Sequence, residues 1–412
     1  MAVSAETRQR VESNISQLWD IWNNERPQRE HCTRLLGMGR GDNIRMIRPM
    51  PHEPHTHFAL KPKFAPNFLG YALEKISALY DEEPARKTPS DGEDSWAEEA
   101  LWDYALGLSA MLGHADPIVR LTGTAIAFMS YRDPDGMPLG FLPGQLEVYP
   151  LLAGQGMEAV ILPKDRFAVL RSKVDGRIAD AVIILMRTDK RTISPGFEQP
   201  VSIFHYWDGE VFAQIESDGM LSSLMWDVTP IGGELYHEHG YGTLPVAVMR
   251  NDETGMDYYS DVVWGGPDLM QNFRSIIELA TEIAATAKLQ RGQPHGSGIK
   301  KNAALSPEHI IRTEPGGSFG IATNNANLTG MIETLQNMLT QLEVTLGLPS
   351  GTFLIKVQSS MSGVSIAMDR IDLTETIKKR QRVARIWELR IHKVSSMIWN
   401  AIRNTSYTGD VT

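Results

Sequence analysis

Apolar residues recur at helical spacing at both ends of this chain and at strand spacing in its middle. Near the start, Val11, Ile15, Leu18, Ile21 and Trp22 fall on one face with charged residues between them, which predicts helix within residues 1–40. The stretch from Arg48 to Pro66 is rich in Pro and His and is expected to be irregular. Phe68, Leu69, Ala72, Leu73, Ile76 and Leu79 form a wide apolar stripe, predicting a helix over 67–80. An acidic, Pro-containing linker spans 81–95. A further helix is predicted from Trp96 to Leu112, with Leu101, Ala105, Leu108 and Leu112 on one side.

From Val119 to Met249 the period shortens. VRLTGTAIAFMSYR, LEVYPLL, EAVILPKDRFAVLR, DAVIILMR, VSIFHYWDGEVFAQI, MLSSLMWDVT and LPVAVMR are short and rich in β-branched and aromatic residues. Asp133-Pro134-Asp135-Gly136, Asp175-Gly176 and Asp208-Gly209 punctuate them, and the last pair predicts a β-hairpin. No solenoid-length repeat interrupts the pattern.

The final third is helical again. Asp268 after Pro267 is a natural N-cap for a helix to about Gln290, whose Leu269, Phe273, Ile276, Ala280, Ile283 and Ala287 form a seam. Residues 291–328 are rich in Gly and Asn and are expected to be irregular. A second seamed helix follows at 329–346 (Ile332, Leu335, Leu339, Leu342, Leu346), stopped by Gly347 and Pro349. The two helices look like half-staves that need neighbours to make a wall; an intramolecular bundle is the alternative. After a polar loop at 350–363, a helix from Val364 to Arg403 would span about 60 Å if unbroken. It carries nine basic residues (Arg370, Lys378, Lys379, Arg380, Arg382, Arg385, Arg390, Lys393, Arg403) against Asp369, Asp372, Glu375 and Glu388. That is a local +5 in a chain of net −10. A solvated charged face is one reading of this excess, and a surface for DNA or acidic neighbouring subunits is the other.

Composition sets limits. At 412 residues, with 42% hydrophobic and 22% charged, the chain is an ordinary globular sequence long enough for two or three domains. No apolar run approaches a membrane span, and the start lacks the apolar core of a signal peptide. Cys32 is the only cysteine, which excludes an internal disulfide. The acidic total is awkward for a protein that grips phosphates.

No catalytic constellation stands out. His52, His55 and His57 around Glu53 alternate in a Pro-rich loop, and His237 and His239 flank Glu238 in an expected turn. Neither has the helical i, i+4 histidine pair of a metalloprotease. Asp133-Pro134-Asp135-Gly136 lacks the later ligands of a calcium loop. GQPHGSGIKK has glycines and lysines at the wrong spacing for a phosphate loop, and there is no G-x-S-x-G elbow. The expectation is therefore no enzyme, no metal and no cofactor. A DNA-processing enzyme with a scattered site, or a ring-forming adaptor of a phage or secretion machine, stays open.

Four segments in order resemble the portal proteins of tailed bacteriophages, the head-to-tail connectors. NFLGYALEKISALYDEEP is similar to the family's early wing helix, and YGTLPVAVMRNDETG to the strand segment before its stem. SDVVWGGPDLMQNFRSIIELATEIA resembles the stem approach, and SSMSGVSIAMDRIDL the junction of tunnel loop and long helix. The resemblance covers roughly residues 67–403. It implies an α+β subunit: a wing over 1–266 (helical 1–118, β-rich 119–250), a stem helix at 267–290 and a clip at 291–328. A returning stem helix at 329–349, a tunnel loop at 350–363 and a long wing or crown helix with a short tail at 364–412 complete it. Only NTSYTGDVT follows that helix, so any crown is expected to be small or made from the helix alone.

The same resemblance implies a ring, usually of twelve copies, at one capsid vertex of the virion, assembled in the host cytoplasm. Double-stranded DNA would be packaged and ejected through it without sequence preference. The ring would nucleate head assembly with the major capsid or scaffolding protein, dock the large terminase, and later receive head-completion or adaptor proteins. Lys356, Gln358, Ser359 and Ser360 would face DNA from the tunnel loop. Phe273, Ile276, Ile283, Leu335, Leu339 and Leu342 would pack stem against stem between subunits. No membrane and no cofactor enter this picture.

Overall fold

The computed structural model describes residues 4–44, 47–49, 55–76, 98–131, 148–152, 157–174, 178–194, 197–217, 226–229, 237–251, 268–289, 293–299, 313–322, 327–348, 351–353 and 363–403. The expected linker at 81–95 and the turns at Asp133–Gly136 and Asp175-Gly176 lie outside them. Helices and antiparallel sheets combine in an α+β fold, divided into two units.

The first unit takes in residues 1–36, 73–267 and 374–412. Helix α1 (Ala5–Asn24) begins at Ser4, whose hydroxyl accepts the Thr7 N–H at 3.1 Å. Its Val11, Ile15, Leu18, Trp19 and Trp22 are buried against a sheet face made by Ala168, Ala181, Ile183, Phe204, Tyr206, Ala213 and Ile215. Trp19 and Trp22 both meet Phe204 edge-on, with ring centroids 5.4 and 5.1 Å apart. Helix α2 (Arg26–Gly39) follows after a single residue and buries Cys32 and Leu35.

That sheet consists of β4 (Phe167–Arg171), β5 (Ala179–Ser194), β6 (Phe197–Asp208), β7 (Val211–Ser217) and β8 (Trp226–Thr229), each antiparallel to the next, with β9 (His237–Glu238) also on β7. The hairpin expected at Asp208-Gly209 joins β6 to β7, pairing Trp207 with Phe212. The Asp208 carboxylate closes it by accepting the N–H groups of Glu210 at 2.8 Å and Val211 at 2.7 Å.

A second antiparallel sheet has the order β10 (Val246–Arg250), β1 (Thr124–Tyr131), β3 (Met157–Pro163), β2 (Val148–Leu152). Residues Ala125–Met129 are all fully buried, so both faces of β1 are covered. Helix α5 (Glu98–Thr122) packs on β1, β2 and β3. Its length corrects the expectation of a helix ending at Leu112 and a strand beginning at Val119. The helix runs through Pro117. Burial of Ala115, Ile118, Val119 and Leu121 and an internal ion pair from Asp116 to Arg120 outweigh the lost N–H. Gly123, with φ 76°, then ends it, its N–H donating to the Val119 carbonyl at 2.8 Å.

The second unit takes in residues 37–72 and 268–373. Helices α6 (Leu269–Leu289) and α7 (Leu328–Leu346) pack on each other. Between them, β11 (Gln293–Ile299) and β12 (Thr313–Ala322) form an antiparallel pair. This corrects the expectation that 291–328 is irregular throughout. Glycines and prolines hid the strands, but a two-stranded ribbon has only edges, where Pro294 and Pro315 are tolerated. Gln293 pairs with Ala322, which brings the end of α6 beside the start of α7, so the two packed helices run in opposite directions.

A short helix, α3 (His55–Leu60), corrects the expected irregularity of 48–66; the prolines lie at 49, 51, 54, 62 and 66, leaving HTHFAL free to turn. The extended chain beyond it crosses α6. Lys61 pairs with Glu282, and Phe64 exchanges two hydrogen bonds with the Thr281 hydroxyl, at 3.3 and 3.2 Å. Asn67 then caps α4 (Phe68–Ile76) by accepting the Gly70 N–H at 2.9 Å.

Candidate functional site

The polar loop between α7 and α8 (Gly363–Arg403) is the segment to which the resemblance assigns contact with DNA. Lys356, Gln358, Ser359 and Ser360 lie outside the described residues. The beginning of the loop is described, and a single side chain holds it. Helix α7 stops in a Schellman motif: Gly347 adopts φ 65°, its N–H donates to the Val344 carbonyl, and the Leu348 N–H donates to that of Glu343. The Glu343 carboxylate, 1% exposed, then accepts the backbone N–H groups of Gly351 at 2.8 Å and Phe353 at 2.6 Å. Phe353 seats its ring against Phe68 and Tyr71, with centroids 5.6 and 6.5 Å away. Residues 351–353 are thereby tied to α7 and to α4.

This anchor went unnoticed in the sequence, although a signal was there. Glu343 lies four residues after Leu339 and three before Leu346, so it belongs to the apolar stripe of α7. A carboxylate in that stripe needs buried donors, and here the following loop supplies them.

Of the expected stem residues, Phe273, Ile276, Leu339 and Leu342 are buried within the chain itself, while Ile283 and Leu335 are half-buried. The intramolecular packing of α6 on α7 covers the seam, so these four do not by themselves call for a neighbouring subunit. Ile332, read as part of the seam, is 43% exposed.

The basic residues of α8 divide into two sets. Arg380 and Arg390 are turned inward: Arg380 binds Asp116 and the Asn251 side chain, and Arg390 donates to the Val248 carbonyl at 2.9 Å. Trp387, fully buried, donates its Nε1–H to the Arg250 carbonyl at 3.1 Å. This face of α8 therefore lies along β10. Lys378, Lys379, Arg382, Arg385 and Lys393 are exposed. The side chains of Arg370 and Arg403 are outside the description.

His52 and Glu53 lie outside the described residues, as does the side chain of His57. His239 uses both ring nitrogens: Nδ1 accepts the Tyr241 N–H at 3.2 Å, which places the proton on Nε2, 3.0 Å from the Asp208 carbonyl. Burial holds its pKa below the ordinary value. His237, expected in a turn, instead sits on β9. Among the described residues no group of three His, Cys, Asp or Glu side chains could hold a metal ion.

A groove of about 850 Å³ in the first unit lies between α1 and the β6–β7 turn. Arg10 lines it, bonded to Glu210 at 2.7 Å and to Asp208 at 3.4 Å. Tyr206 donates its hydroxyl to Asp208 at 2.9 Å. Burial and the Asp208 charge push the Tyr206 pKa up, so this phenol stays protonated. These groups satisfy one another.

No described helix is long and apolar enough to cross a membrane. No protein-family model matches the chain, and no curated protein matches it.

Proposed function

We propose that this chain is the subunit of a portal ring, set at one vertex of a phage capsid, through which double-stranded DNA is packaged and later ejected. The observation that carries the reading is one order of elements along the chain. Two antiparallel helices are separated by a β-ribbon excursion, and an anchored loop then leads directly into a helix of 41 residues. In this reading α6 and α7 are the stem, the ribbon belongs to the clip, and the loop after Phe353 is the segment that meets DNA. The N-terminal helices and the two sheets make the wing.

The chain contributes shape rather than chemistry. A terminase would dock on the clip and supply the ATP hydrolysis, and head-completion or adaptor proteins would take its place. The formal charge of −10 supports a conduit through which DNA slides, because each phosphate neutralised by Lys or Arg adds grip. Negative-stain images of the purified chain test the reading. Closed rings with a central hole about 20 Å wide or more, enough for a duplex, are the expected result. Monomers without rings at micromolar concentration would remove it.

A further inference from the structure

The second half of α8 has two faces of opposite character. Arg380, Ala384, Trp387, Ile391, Ser395 and Ile398 are all buried and recur at helical spacing along one side. At about 100° per residue, Lys378, Lys379, Arg382, Arg385 and Lys393 fall within roughly a third of the circumference on the opposite side. All five are exposed, and among the described residues none is in an ion pair. The face spans about 22 Å from Lys378 to Lys393.

Two further residues share it. Leu389 is 42% exposed and Met397 39% exposed, so apolar surface is set among the cations. A phosphate backbone offers nothing to a leucine and a methionine, whereas protein interfaces favour Arg and Met together. The complementary charge is also at hand. With +5 on residues 364–403 and −10 overall, the remainder of the chain carries −15.

We propose that the face of α8 from Lys378 to Met397 is a self-association surface, docking on acidic surface of a second copy of this chain. It rests on the ring reading above, in which it becomes a subunit contact. Charge complementarity would orient the copies and speed their encounter, while Leu389 and Met397 would be covered on docking. Because the cations are exposed, association should weaken as salt shortens the screening length from about 10 Å at 0.1 M.

The test uses the full chain with Lys378→Glu, Arg382→Glu and Arg385→Glu combined, compared with wild type by sedimentation velocity from about 0.05 to 0.5 M salt. Circular dichroism checks the fold, and the single variants Arg382→Glu and Arg385→Glu answer the same question should the triple lose it. Wild type is expected to associate with strong salt dependence, and the triple variant at least about tenfold more weakly. Lys378→Arg, which keeps the charge, should match wild type.

A variant that assembles like wild type overturns the inference and leaves the ring reading standing. A variant that assembles normally but loses binding to duplex DNA overturns it in favour of a nucleic-acid surface. Wild type that associates through this face into small oligomers without rings supports the inference and removes the ring. Wild type that stays monomeric at every salt concentration removes both.

Discussion

Arg380 Nε lies 2.5 Å from Asp116 Oδ1, joining α8 to α5 across 264 positions of sequence. The other carboxylate oxygen of Asp116 accepts from Arg120 at 2.9 Å, and all three side chains are buried. Burial alone would push the Asp116 pKa up. Arg380 and Arg120 together overcome it and hold the carboxylate below its usual range.

Asp116→Ala leaves two buried arginines without their shared carboxylate. Loss of one partner of a buried pair costs about 3–5 kcal/mol. Urea denaturation should show an unfolding free energy lowered by that amount, seen as a lower midpoint with little change in slope. A loss of under about 1 kcal/mol would mean that Asn251 and water take over the role.

Stability should also fall as the solution is acidified. His205 is buried, and burial lowers its pKa to about 4, with nearby Arg187 adding to the shift and a bond to Gln214 opposing it. The unfolded chain, titrating near 6.5, binds the extra proton first. The contribution is therefore complete above pH of about 6.5 and is lost as pH falls towards about 4, at most roughly 3 kcal/mol. His239, lowered in the same direction, adds to the slope. His205→Gln should flatten the dependence in this window, measured as unfolding free energy against pH. An unchanged slope would assign the effect elsewhere.

Glu343→Ala removes the acceptor of the Gly351 and Phe353 N–H groups. Hydrogen bonds to a charged group contribute about 1.5–3 kcal/mol. Amide exchange at Gly351 and Phe353 should accelerate by about ten- to a hundredfold, while the middle of α7 keeps its protection. Equal acceleration along α7 would show that Glu343 supports the helix rather than the loop.

In the portal reading, deleting Lys356–Ser360 should leave ring assembly intact and impair DNA packaging or retention. Complementation of a portal-deficient phage, with heads and their DNA counted separately, checks this. Heads that fill and hold DNA normally would deny the loop a conducting role. Failure to form rings would make it structural.

Local pattern by itself determined much of this protein. The stripes of α1, α4, α6 and α7, the β6–β7 hairpin at Asp208-Gly209 and the helix stop at Gly347 were legible because each depends on residues a few positions apart, whereas the buried face of α8, which includes Arg380 and Ser395, was not. Tertiary structure decided the rest. Helix α5 continues through Pro117 because its last turns are buried, and β11 and β12 form despite their glycines because each supplies the other's partners. Arg380 stands in the sequence among eight other basic residues of α8, and only Asp116 and Asn251, far away along the chain, set it apart. Glu343 is read as an ordinary helix acid until the loop folds back to donate to it. Short-range spacing prescribes which face of a helix is apolar. Which buried charge finds which partner depends on chain segments that meet only in the folded state.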